Sequence, residues 1–259
     1  MGTLLFDSVI FGPVKSRRLG ASLGINLLPN DAKLCNYNCV YCECGLTNHR
    51  SQGKKKFHTE AVVLEALEKK LLEMGAQGSQ PDSITFAGNG EPTLHPGFAA
   101  IMQGVIDLRN QLCPSAKVSV LSNASMVHKD EVYEALLLAD RNMLKLDTAI
   151  EDTFRRMNGP PAGFNLQKLM LNLGRFRQRM IIQSLFLRGT VNGATLDNTT
   201  EQELDAWLKA IVSLSPVEVQ VYSIARETPL ESLERADPHT LKKIAAMVER
   251  KGIPATVYA

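Results

Sequence analysis

Three cysteines fall within eight residues, Cys35, Cys39 and Cys42 in CNYNCVYC, a CxxxCxxC spacing. Thiolates gathered on one short loop can hold three irons of a four-iron, four-sulfur (4Fe-4S) cube. A fourth would complete the ligand set, as in ferredoxin-type electron carriers. With three, one iron keeps an open position, and an open position admits a substrate or cofactor. The spacing therefore points to chemistry as well as electron storage. The competing metal is zinc, which takes four N or S ligands, usually in CxxC pairs. Cys44 or His49 could supply the fourth, but the chain has no second CxxC pair.

Other residues with chemical potential follow at intervals. In AGNGEPTLHP (87–96), Gly88 and Gly90 let the backbone approach a ligand with no Cβ in the way, and Glu91 adds a carboxylate beside the free backbone groups. Ser122-Asn123 and Lys145-Leu146-Asp147 close two apolar runs with polar side chains. Such groups suit the donors and acceptors of a ribose; the same residues also cap turns and helices. Tyr41 stands just before the third cysteine.

Taken together, these segments resemble the radical S-adenosylmethionine (SAM) superfamily. The resemblance implies that SAM chelates the open iron through its amino and carboxylate groups. The reduced cluster then breaks the S–C5′ bond, and a 5′-deoxyadenosyl radical abstracts hydrogen from the substrate. The cofactor carries the hard chemistry, and the protein orients it. The resemblance further implies that Gly88, Asn89, Gly90 and Glu91 receive the SAM amino group. Ser122, Asn123, Lys145 and Asp147 would contact its ribose or carboxylate, and Tyr41 its adenine. The family's commonest form has two adjacent glycines before the Glu; here Asn89 precedes Gly90, a variant. FGPVKSRRLGASLGINLLP, GNGEPTLHP and the segment around VYSIARETP are similar to small stand-alone members likened to the tRNA wyosine-synthesis enzyme. That larger enzyme has segments this chain lacks, and a shared fold does not set a shared substrate.

The elements that must position these residues alternate along the chain. Strand candidates are 22–28, 83–88, 117–122, 142–147, 180–187 and 217–223, short and rich in Val, Ile, Leu and Phe as buried parallel strands are. Amphipathic helices lie between them. Thr59 caps one carrying Leu64, Leu67, Leu71 and Met74; Thr200 and Glu203 form a capping-box pattern before Leu204 and Trp207; Asp237-Pro238 opens the last. Repeated strand–helix units imply right-handed crossovers. The expected fold is α/β, a partial (β/α)6 TIM-like barrel of parallel strands, with 253–259 as a possible seventh strand. It reads as one domain, with 1–21 an N-terminal extension and 22–259 the barrel. Active sites of such barrels lie at the C-terminal ends of the strands, where every segment above falls.

The 259 residues are 44% hydrophobic and 22% charged, an ordinary globular composition. No apolar run approaches the roughly 20 residues of a membrane span, and the N-terminus lacks a secretory pattern. Five cysteines, three in one loop, read as metal binding in a reducing cytosol, so a cytoplasmic location is expected. Cys113 reads as a buried thiol, and the role of Cys44 is open. His49, His58, His95, His128 and His239 show no ligand pairing and read as solvated or capping side chains. Gln183, Tyr222 and Arg226 are further candidate substrate or SAM contacts.

The net charge of +2 does not announce nucleic-acid binding. Arg17-Arg18 and Lys54–Lys56 nevertheless bracket the cysteine loop in sequence, and Arg175, Arg177 and Arg179 form a further basic cluster. The leading expectation is a radical SAM enzyme served by an electron donor such as flavodoxin or ferredoxin. A laterally open barrel suits a macromolecular substrate, tRNA ahead of a protein. The alternatives are a protein-directed activase of glycyl-radical type and a non-enzymatic metal-binding interaction protein.

Overall fold

The computed structural model describes residues 4–47 and 57–258. Its main sheet has eight strands: β1 (Ile10–Ser16), β2 (Gly20–Ile25), β3 (Ser83–Phe86), β4 (Lys117–Ser122), β5 (Arg141–Lys145), β6 (Ile181–Leu185), β9 (Glu218–Tyr222) and β11 (Ala255–Tyr258), hydrogen-bonded in that order. From β2 to β11 all pairings are parallel. The sheet curls into a half-barrel, the partial TIM-like barrel expected from the sequence.

Helices α1 (Glu60–Ala76), α2 (Phe98–Leu112), α3 (Asp130–Leu137), α4 (Glu151–Asn158), α5 (Leu166–Leu173), α6 (Glu201–Leu214) and α7 (Pro238–Glu249) run between the strands. Thr59, Thr200 and Asp237 accept backbone N–H bonds at their N-termini, as their sequence pattern requires. Alternation divides each strand. Leu23, Ile25, Ile84, Phe86, Val118, Val120, Leu144, Ile182, Val219 and Val221 pack under the helices in the main apolar core. The opposite face is partly polar. Ser22 Oγ lies 2.8 Å from Thr85 Oγ1, which lies 3.0 Å from Ser83 Oγ, itself 2.8 Å from Ser119 Oγ. Further round, Gln183 donates to Gln220 Oε1 at 2.8 Å, and Leu19, Leu121, Met143 and Ile181 form a small apolar cluster.

Three features depart from the sequence expectation. Residues 10–16, placed in an extension ahead of the barrel, form an antiparallel edge strand on β2. Phe11 lies over Gly24, in space that any side chain there would fill, and Phe6 stacks on Phe11 with ring centroids 3.6 Å apart. The expected strand 180–187 is two strands. β6 ends at Leu185, and β7 (Leu187–Val191) turns into a separate antiparallel sheet with β8 (Ala194–Asp197) and β10 (Leu233–Arg235). Asn192 and Gly193, both at positive φ, make the β7–β8 turn. Arg17 and Arg18 sit in the β1–β2 turn at the foot of the barrel. Arg141 Nη1 there donates to Arg18 O at 3.0 Å, at the end opposite the strand C-termini. Their backbone therefore lies away from the mouth. Lys54–Lys56 and His49 lie outside the described residues.

His95, read from sequence as solvated or capping, is 6% exposed. Its Nε2 faces His58 O at 2.6 Å, and its Nδ1 faces the Gly97 N–H at 3.0 Å. A carbonyl only accepts and an amide only donates, so the ring is neutral with its proton on Nε2. Burial holds its pKa below the ordinary 6.5. The unfolded chain therefore takes up a proton that the folded chain refuses, and stability falls as pH drops below about 6.5. Urea midpoints of the wild type and of His95→Gln, measured between about pH 5 and 8, are expected to diverge only on the acid side, with the shallower acid slope in the variant. Parallel curves would show that His95 does not carry this linkage.

Candidate active site

The cysteine loop leaves β2 and is fastened at three places. At the first, Leu34 N donates to Asn89 O at 2.8 Å and Glu91 N donates to Leu34 O at 3.1 Å, an isolated parallel bridge to the loop after β3. At the second, Asn38 N donates to Asn158 O and Gly159 O, and Val40 N to Met157 O, all at 3.0 Å. These carbonyls end α4, whose C-cap Gly159 is left-handed. The third is Tyr41, whose hydroxyl donates to Asp147 Oδ2. Beneath the loop, the fully buried Tyr37 ring meets Phe154 and Phe164 edge-on at 5.6 and 5.4 Å.

Two of the three sulfurs meet a side-chain N–H donor. Asn123 Nδ2 donates to Cys35 Sγ at 3.5 Å, and Asn158 Nδ2 to Cys39 Sγ at 3.6 Å. Cys42 is instead influenced by the charge of Lys33, whose Nζ donates to Gly45 O at 2.8 Å. Tyr37 N also points at Cys35 Sγ, at 3.4 Å. Cys35 and Cys39 are buried, and burial pushes both thiols up. Cys42 is half-buried and is pulled down to about 5, first by its neighbour Cys44 and next, against the cost of burial, by the charge of Lys33. Cys44 moves up in turn; its sulfur also lies 3.6 Å from Gly88 O.

The remaining candidates gather around this loop. Gly88 and Gly90 take φ of +134° and +139°. The space their missing side chains leave is filled by the protein itself: a Cβ on Gly90 would lie 1.9 Å from Leu34 O, and one on Gly88 2.5 Å from Asn26 Oδ1. The glycines thus let the cysteine loop dock. Asn89 is turned the other way. It accepts from Phe6 N at 2.8 Å and donates to Phe6 O and Pro29 O at 2.8 and 2.9 Å. Glu91 is buried. Its Oε1 accepts from Thr93 N, Thr93 Oγ1 and Ser122 Oγ at 3.0, 2.5 and 2.8 Å, and its Oε2 from Asn123 N at 2.6 Å. Burial raises its pKa, and these donors oppose the rise.

Asp147 is equally engaged. Its Oδ1 accepts from Leu185 N at 2.9 Å and lies 3.6 Å from Lys145 Nζ; its Oδ2 accepts from Tyr41 and, at 2.7 Å, from Asn158. Lys145 also donates to Tyr222 Oη at 3.1 Å and lies 5.1 Å from the Tyr41 ring centroid. Burial alone would lower its pKa, but the charge on Asp147 and its neighbours outweighs that, so the ammonium holds its proton. Gln183 lies further down the inner face, bonded to Gln220. Arg226 reaches back over the loop to pair with Glu43.

Lys33 and Asn158 were not singled out from the sequence. Asn158 had a readable signal: Glu151 and Asp152 at the start, Arg155 and Arg156 near the end and Gly159 beyond it mark a short helix. Lys33 carries no such mark.

Residues 30–211, most of the chain, match the family model for the radical SAM superfamily. The chain belongs to that superfamily. It is 33% identical over 238 residues to the UPF0026 protein slr1464 of Synechocystis sp., covering 89% of this chain and 81% of that one. Its fold is similar to that of a radical SAM methyltransferase from Sphaerobacter thermophilus (TM-score 0.67, 14% identity, 92% of this chain and 65% of that one). It is also similar to TYW1 solved with a lysine-pyruvate adduct bound (TM-score 0.61, 17% identity, 88% and 73%). Across the curated relatives it matches, the chain spans between about a third and four fifths of their length. Radical SAM enzymes generally use a 4Fe-4S cluster with SAM. No helix among the described residues is long and apolar enough to cross a membrane.

Gly90→Ala tests the docking geometry. The added methyl meets the Leu34 carbonyl and must hold a left-handed φ, at a cost of about 3 kcal/mol or more. Urea denaturation of the cluster-free chain is expected to show that loss. A variant as stable as the wild type would mean that the Leu34–Gly90 bridge does not fasten the loop.

Proposed function

We propose that Cys35, Cys39 and Cys42 hold one 4Fe-4S cluster with an open iron, and that SAM binds beside it along residues 88–91 and 122–123. The observation that carries this reading is the donor set. Three sulfurs sit on one fastened loop at the mouth of a parallel half-barrel, two of them met by side-chain amide N–H groups, and hydrogen bonds of that kind suit thiolates bound to a cluster. Among the described residues, no three His, Cys, Asp or Glu side chains converge as one metal ion requires. A cube asks for no such convergence, because its thiolates bind separate irons. When bound, the cluster and SAM supply reductive cleavage of the sulfonium and abstraction of a substrate hydrogen.

The chain's own residues do the rest. Glu91 ties the loop after β3 to the end of β4, so Gly88–Glu91 and Ser122-Asn123 form one rigid wall beside Cys35. Asp147 and Asn158 hold Tyr41 and Cys39 from the other side. Lys145, fixed between Asp147 and Tyr222, presents a permanent positive charge to the same space. An electron donor of the flavodoxin or ferredoxin type would reach the cluster from the exposed side of Cys42.

The substrate class rests on the open sheet. β1 and β11 are unpaired edges, which supports a substrate too large to be enclosed, tRNA or a protein loop. With Arg17 and Arg18 at the foot, the RNA reading now depends on Lys54–Lys56.

Two measurements test the proposal. After anaerobic reconstitution, replacing any one of Cys35, Cys39 or Cys42 by Ala is expected to remove most of the iron and all 5′-deoxyadenosine formation. A triple variant that keeps four irons would overturn the assignment. Total tRNA titrated across a salt series is expected to bind with an affinity that falls steeply as salt rises. No binding even at low salt removes RNA and leaves the protein-directed activase.

A further inference from the structure

We propose that Asn158 is a positioning residue for the cluster: its side-chain amide keeps a hydrogen bond on the Cys39 sulfur that makes the centre easier to reduce. The proposal rests on the reading of Cys35, Cys39 and Cys42 as cluster ligands.

Asn158 is the last residue of α4 and is 1% exposed. It touches the cysteine loop twice. Its main-chain carbonyl accepts from Asn38 N at 3.0 Å, and its Nδ2 donates to Cys39 Sγ at 3.6 Å. The same nitrogen donates to Asp147 Oδ2 at 2.7 Å and to Tyr41 Oη at 3.1 Å. Tyr41 spends its own proton on Asp147, so its oxygen is an acceptor here. Turning the amide over would set Oδ1 against the Asp147 carboxylate. The charge on Asp147 therefore fixes Nδ2 as the atom that faces Cys39.

This orientation leaves Asn158 Oδ1 buried with no hydrogen-bond partner among the described residues. Native folds keep such an orphan only for a reason. The amide of Asn123, which meets Cys35, is a contrast: its Oδ1 accepts from Ser125 N at 2.9 Å and its Nδ2 also donates to Asn36 Oδ1 at 3.0 Å, so a turn accounts for it. Asp147 does not depend on Asn158 either, since it keeps Leu185 N and Tyr41 as donors. What the orphan secures is an N–H group aimed at sulfur. One-electron reduction adds negative charge to the centre, and a donor to a sulfur stabilises the reduced form more than the oxidised one, because hydrogen bonds to the sulfurs help to set the potentials of such clusters.

Asn158→Leu removes the donor and keeps the main-chain carbonyl that fastens Asn38. Lys145 and Asp147 are untouched by the substitution. Wild type and variant, both grown with asparagine carrying ¹⁵N in its side-chain amide, are reconstituted anaerobically and counted for iron and sulfide. Each is titrated potentiometrically, and the reduced centre is followed by pulsed electron paramagnetic resonance. The variant is expected to hold a full cluster whose reduction is about fivefold less favourable, about 40 mV lower for one electron, and to lose one of the ¹⁵N couplings seen in the wild type. A merely structural role would lower the iron content and leave the potential of the loaded centre where it was. Full iron with an unchanged potential overturns the proposal, as does a wild-type spectrum without ¹⁵N coupling. Should Asn158→Leu take up no iron, the labelled Asn123→Leu variant decides: a remaining coupling supports the bond from Asn158, and its absence overturns it. A wild type that takes up no iron–sulfur cluster would instead overturn the reading of the cysteines.

Discussion

Everything at the mouth of this half-barrel depends on how an irregular loop is made rigid. Residues 26–47 carry three cysteines but contain no helix or strand of their own. Such a segment leaves its amides and carbonyls to be paired by other elements. The structure solves this with backbone from two neighbours. The loop after β3 gives Leu34 a two-bond bridge, and the C-terminus of α4 gives Asn38 and Val40 three carbonyl acceptors. Helix C-termini always have carbonyls to spare. The left-handed Gly159 turns the chain so that two of the last carbonyls, with its own, point at the loop. Both fastenings need glycine at one partner, which explains Gly90 and Gly159 more directly than close approach of a ligand does.

The same logic sorts the polar side chains. Asn89, Glu91 and Asp147 read from the sequence as groups waiting for a ligand, yet each already accepts protein donors. Glu91 has four and Asp147 three, besides the nearby Lys145. A buried carboxylate is tolerated only when so satisfied. For the two carboxylates, some of these bonds fix groups nearer the cysteines: Asn123 beside Cys35, and Asn158 and Tyr41 beside Cys39 and Cys42. Rigid donors placed in advance reorganise less when charge arrives on the sulfurs. The carboxylates work at one remove, and the amides of Asn123 and Asn158 face the thiols.

What could be read from the sequence follows from which forces are local. The cysteine spacing, the buried parallel strands and the helix caps are short-range patterns, and the half-barrel is what they imply. The wrong or missing readings involve partners far apart in the chain. Arg17 and Arg18 are near the cysteines in sequence but at the other end of the barrel, because β2 runs its whole length between them. Lys33 looks like any surface lysine until residues 33 and 45 are brought together. The strand 180–187 divides at a point where the local pattern stays apolar, and the local sign of the hairpin, the Asn192-Gly193 pair, lies beyond it. The extension 1–21 hid a strand because Gly12, Pro13 and Lys15 spoil the apolar alternation, while its pairing depends on Phe11 covering Gly24 some thirteen residues later.

An open sheet also has to keep its two ends from parting, and here one residue of the basic turn does the work. Arg18 extends its side chain from the β1–β2 turn across to the C-terminal residues of the last two strands. Its guanidinium carbon stands 5.0 Å from the Tyr222 ring centroid on β9 and 5.7 Å from that of Tyr258 on β11. Stacking of this kind suits Arg, whose planar cation is weakly hydrated. The first two strands are thereby tied to the last two with no strand pairing between β1 and β11. Tyr222 carries the link upward, since its hydroxyl accepts from Lys145, which in turn pairs with Asp147 beside the cysteine loop. Side chains thus bridge the first and last strands, and among the described residues the lateral edges are left unpaired.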